Sequence, residues 1–141
     1  MFFLPLFDNN PTVARPVVTW IIMALCLFGF IWQESLDYQT AHNLMYQLGF
    51  IPAVFFTSSN LPENIVLVPE WSTIFTSMFL HAGWMHIGGN MLYLWIFGDN
   101  VEAAMGRSRF ILFYAICGTV AAMAQAALNP SSTIPMIGAS G

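Results

Sequence analysis

Of the 141 residues, 57% are hydrophobic and only 7% are charged, against about 25% charged in a typical soluble domain. That excludes an ordinary water-soluble globule and identifies an integral membrane protein. The net charge of −4, from three arginines, no lysine and seven acids, leaves no basic patch for nucleic acid.

In chain order, residues 1–12 are apolar but broken by Pro5 and Pro11. They lack the basic start and small-residue cleavage site of a signal peptide and are expected at the membrane interface. Residues 16–33 form an 18-residue charge-free run. As a helix this run is about 27 Å long, close to the thickness of the hydrocarbon core, with Pro16 suited to its first turn. The first span is placed at about 16–34. Residues 37–70 follow as a long external loop holding Pro52, Pro62 and Pro69. Leu44, Leu48, Phe50, Ile51, Val54 and Phe55 make it too apolar for disorder, so a short helix near 41–48 and a fold back onto the bilayer surface are expected.

Residues 71–98 contain no Asp, Glu, Lys or Arg. The second span is placed at about 83–98, with Gly98-Asp99-Asn100 as its exit, because glycine readily ends a helix. The third span, about 109–128, carries Gly118, Ala122 and Ala126 at four-residue spacing, a face that admits close approach of another helix. Gln125 is expected to hydrogen-bond between helices. Cys26 and Cys117 read as small buried hydrophobes without a disulfide or metal knuckle. Asn129-Pro130 breaks the chain, and a fourth helix is expected to begin near 138. Alternation of three spans puts Arg15, Arg107 and Arg109 on one side, the cytoplasm by the basic-residue rule. Glu34, Asp37, Glu63 and Glu70 fall outside, with the N-terminus cytoplasmic.

Three polar residues sit in or beside the second span: His81, His86 and Asn90. Such residues are costly in lipid and usually face the bundle interior or a watery cavity. His86 and Asn90 are four apart, so a helix presents both on one face, able to donate hydrogen bonds to a developing oxyanion. Taken singly, either is more often polar glue between helices. Gly138-Ala139-Ser140-Gly141 places a serine at the start of a helix, where free N–H groups and the positive dipole end could hold an oxyanion. On its own this tetrapeptide more often means a small-residue helix contact. His81 is expected in the loop above the span, bonded to loop backbone, and His42 on the surface. A metal centre on His81 and His86 lacks a third ligand and the H-E-x-x-H pattern.

The combination of His81, His86 and Asn90 with Gly138-Ala139-Ser140-Gly141 about fifty residues later resembles the rhomboid intramembrane serine proteases. So do Phe75–His81, Gly98–Glu102 and Leu48-Gly49-Phe50-Ile51-Pro52. The resemblance implies an all-α, rhomboid-like helical bundle in which three transmembrane helices and the start of a fourth occupy residues 1–141. It implies Ser140 as nucleophile, with His86, Asn90 and the Ser140 N–H stabilising the oxyanion, and Gly138, Gly141 and His81 as structural neighbours. No metal or cofactor is implied. The implied partners are single-pass membrane protein substrates, cut near the outer face of the bilayer.

Two departures stand out. Trp71-Ser72 replaces the Trp-Arg of many members, and the dyad histidine of the sixth span is absent from residues 1–141. The chain therefore reads as an incomplete rhomboid domain, inactive alone. The alternative is a non-catalytic rhomboid-like protein that binds membrane clients, although such relatives usually lack the serine or a histidine.

Overall fold

A computed structural model describes residues 15–57, 62 and 66–138. Among these the architecture is all-α, with one isolated antiparallel bridge, Phe50 to Met136, and no strand. Helix α1 spans Val17–Ser35, α2 Tyr38–Leu48, α3 Pro52–Thr57 and α4 Thr73–Thr76. Helix α5 spans Trp84–Tyr93, α6 Asp99–Met105 and α7 Arg107–Leu128.

Helices α1 and α7 are long and apolar enough to cross a membrane, yet only 33% and 17% of their apolar windows are buried. A soluble core helix hides its apolar residues. Here Phe28, Ile31, Leu112 and Val120 point outward, as a lipid-facing surface requires. Between them, α5 and α6 form one continuous helical stretch, residues 84–105, joined by a π-helical turn at Leu94–Gly98. The helix does not exit at Gly98. That residue has helical angles, φ −62° and ψ −41°, and its role is close packing. A Cβ there would lie 2.6 Å from Thr19 Cγ2 of α1.

The two elements are also locked by charge. Glu102 of α6, buried in an apolar setting, accepts from the Val18 N–H (3.0 Å), the Thr19 N–H (2.8 Å) and the Thr19 hydroxyl (2.8 Å). These N–H groups belong to the first turn of α1, which has no side-chain cap of its own. A carboxylate from 83 residues along the chain thus caps that helix. Burial pushes the Glu102 carboxyl up, but the bonds from Thr19 and Val18 and the nearby Arg107 outweigh it and hold the group below its ordinary value. Val18, Ile22 and Cys26 of α1 and Phe110 of α7 form the adjoining core, with Met91 and Leu94 packed against it.

Among the described residues the small-residue face of α7 does not meet another long helix. Gly118 is covered by the Met78 side chain, and Ala122 and Ala126 pack with Ile74 and Phe50. The partner is the short helical segment of residues 70–79, whose compact turns fit where a full helix was expected. Gln125 is exposed, with no interhelical hydrogen bond among the described residues. Cys26 is buried, but Cys117 is exposed rather than buried; both are free thiols.

The connection after α1 is structured. Asp37 caps α2 by accepting from the Gln39 and Thr40 N–H groups at 3.1 and 3.2 Å. This helix begins at Tyr38, three residues ahead of the expected start at 41. His42 is exposed and packs at a tilt against Tyr46, with ring centroids 4.9 Å apart.

Candidate active site

The site is assembled where the chain after α7 returns to the loop side of α5. Asn129-Pro130 ends α7, and the returning segment is strapped down by four backbone bonds. Ala53 N–H donates to the Ser132 carbonyl at 2.9 Å. Phe50 and Met136 exchange a pair of bonds at 3.0 and 2.8 Å. Gly138 N–H donates to the Ser77 carbonyl at 2.8 Å. Gly49 lets this segment approach, since a Cβ there would lie 2.9 Å from Pro135 Cβ.

The strap delivers Gly138 onto the imidazole of His86. Gly138 has φ +107°, a conformation that L side chains rarely adopt, and a Cβ there would fall on the ring, 2.5 Å from Nε2. Two independent constraints, backbone angle and close approach, therefore demand glycine. The next residues, Ala139, Ser140 and Gly141, lie outside the described residues, and with them the expected start of a fourth helix.

His86 stands on the first turns of α5, half-buried. Its Nδ1 accepts a long bond, 3.5 Å, from the Ala82 N–H. In the neutral ring this leaves the proton on Nε2, the nitrogen turned toward Gly138. Asn90 follows one turn along α5. Its Nδ2 is buried without a hydrogen-bond partner among the described residues, a donor held ready at a cost. It lines an apolar groove of about 390 Å³ between the α5–α6 stretch and α7, together with Tyr93, Phe97, Phe110, Tyr114 and Cys117.

His81 is fully buried (0% exposed) in the turn ahead of α5, and its ring meets that of His86 edge-on, centroids 5.2 Å apart. The Phe79 carbonyl lies near the ring but neither ring nitrogen has a hydrogen bond of good geometry among the described residues. Burial, reinforced by neighbouring His86, pulls the His81 imidazole down to about 4. Its backbone is anchored instead, because Gln33 Nε2 of α1 donates to the His81 carbonyl at 2.8 Å. Sequence reasoning missed Gln33. The available signal was a lone amide at the end of the otherwise apolar 16–33 run. Ser77, whose carbonyl receives Gly138, was invisible because its part is played by backbone. Among the described residues no cluster of three or more His, Cys, Asp or Glu could hold a metal.

Comparison with known sequences decides the family. Residues 68–141, the half of the chain that holds this site, match the model of the Rhomboid domain. The chain belongs to the rhomboid family. It is 32% identical over 137 residues to a putative rhomboid protease, YdcA, of Bacillus subtilis, covering 95% of this chain and 61% of that protein. Rhomboid protease GluP of the same organism is 29% identical over 128 residues, covering 90% of this chain and 22% of the relative. Rhomboid protease GlpG of Salmonella newport is 30% identical over 108 residues, covering 77% and 34%. The chain thus spans less than two thirds of the length of these rhomboid relatives. As a rhomboid it is a membrane protein built from helices, in agreement with the lipid-facing surfaces of α1 and α7.

Proposed function

We propose that residues 1–141 carry the nucleophile and the oxyanion donors of an intramembrane serine endopeptidase that cuts single-pass membrane proteins. In this reading the Ser140 hydroxyl attacks the scissile carbonyl, forming the Oγ–C bond while its proton passes to a base. Serine needs such a base. His86 belongs to the oxyanion side, His81 is enclosed without access and His42 is an exposed residue of α2; as the rhomboid resemblance implies, the base in this reading is a histidine of a later span. His86 Nε2–H, Asn90 Nδ2–H and the Ser140 N–H receive the charge that develops on the carbonyl oxygen. Collapse of that intermediate expels the amine, and water releases the acyl group. The N-terminus is cytoplasmic, three spans alternate, and the site opens toward the outer leaflet.

The observation that carries this reading is the seating of Gly138 on the His86 ring, two residues ahead of Ser140. Two residues of chain span at most about 7 Å, and this short tether supports an approach of the serine to oxyanion donors on α5. The named activity of the relatives, rhomboid protease, supports the same chemistry. The test is cleavage of a single-pass substrate in liposomes by the product of the complete reading frame. Ser140→Ala is expected to abolish cleavage, and His86→Ala to lower kcat by about 10²–10³, as for loss of an oxyanion donor. Cleavage that survives Ser140→Ala would overturn the proposal.

A further inference from the structure

A second cavity, of about 260 Å³, lies at the opposite end of the bundle and is lined by Arg15, Pro16, Glu102, Ala103, Gly106 and Arg107. We propose that it binds the phosphate headgroup of an anionic glycerophospholipid. Its place in the fold argues for a lipid. The two long apolar helices, α1 and α7, both begin at its walls, Pro16 preceding Val17 and Gly106 preceding Arg107. It therefore sits where hydrocarbon gives way to headgroups. Its size, just under the roughly 300–1,000 Å³ of drug-sized sites, suits a phosphate diester with the start of its glycerol, the acyl chains lying outside.

Its charge argues for an anion. Two guanidinium groups, which bind phosphate in a fork, enter from separate segments. Arg15 makes no ion pair among the described residues, and Arg107 only a loose one, 3.9 Å, to Glu102. The one carboxylate in the wall does not cancel this, because both Glu102 oxygens are engaged by the first turn of α1. The first turn of α7, with its own positive dipole end, has no side-chain cap. Basic pockets between membrane helices are suited to lipid phosphates. Arg109 lies on the same side but outside the cavity wall, so it separates a defined pocket from diffuse attraction to an anionic surface.

The experiment uses the whole chain in nanodiscs of mixed phosphatidylglycerol and phosphatidylcholine, with retained lipid counted by native mass spectrometry. The parent is expected to retain phosphatidylglycerol preferentially. Arg15→Gln is expected to weaken that retention about fivefold with an unchanged melting temperature, since the Arg15 side chain makes no ion pair or hydrogen bond among the described residues. Arg15→Gln with Arg107→Gln is expected to remove the preference, and Arg109→Gln to keep it. Excess inorganic phosphate is expected to leave the lipid in place. Retention unaltered by Arg15→Gln, an equal loss in Arg109→Gln, or displacement by inorganic phosphate would each overturn the proposal.

Discussion

At the scale of single residues, the site rests on a glycine and two histidines. Gly138 fits because it has positive φ and because His86 occupies the volume of a side chain. Gly138→Ala is therefore expected to destabilise the chain by about 1–3 kcal/mol, measured by unfolding in mixed detergent micelles. Gly88→Ala, where nothing lies within 4 Å, is expected to be neutral or slightly stabilising, as alanine is the better helix former. His81 gives a pH signature. Its imidazole, in the turn outside the spans, titrates near 4 when folded but near 6.5 when unfolded. Above pH 6.5 both states are neutral and the term is silent. As pH falls toward 4 the unfolded chain takes up the proton and the folded chain does not, so stability falls. Between pH 7.5 and pH 5 the loss is expected to be about 2 kcal/mol, and a His81→Leu variant should lose that much less over the same interval.

At the scale of elements, the decisive contacts join parts distant in sequence. The Glu102 carboxylate both caps α1 and fixes its depth against α6. Glu102→Gln keeps the shape but loses the charge that two N–H groups and a hydroxyl share. It is expected to cost about 1–3 kcal/mol in the same unfolding assay. Legibility in the sequence follows the same division. Residues 16–33 and 110–128 reveal helices because an apolar run of that length has few other uses in a membrane protein. His86 and Asn90 stand out because polar groups are rare there. Gly98 misleads, since glycine serves a helix end and a close helix crossing alike, and only the position of Thr19 decides between them. The Gly118, Ala122 and Ala126 face announces close approach but not by what. The backbone strap from Ala53 to Gly138 leaves no side-chain signature at all, so the route by which the chain returns to His86 could not be read beforehand.

At the scale of the whole molecule, an apolar shell encloses a small polar interior. The outward aromatic and aliphatic residues of α1 and α7 face lipid, and His81, Gln33, Asn90 and Glu102 are gathered within. In the proposed mechanism the base is not among residues 1–141. The purified chain 1–141 is accordingly expected to show no Ser140-dependent cleavage of a membrane substrate in liposomes. Client capture by this chain that persists in Ser140→Ala would instead favour the non-catalytic reading.

The central claim is that Ser140 faces His86. It is tested most directly by paired cysteines, His86→Cys with Ser140→Cys, in a chain whose Cys26 and Cys117 are replaced by serine. A short bis-thiosulfonate linker is applied in membranes, and Ala53→Cys with Ser132→Cys serves as the control across the strap. The account predicts linkage of both pairs. Linkage of the control pair without any between positions 86 and 140 would contradict it.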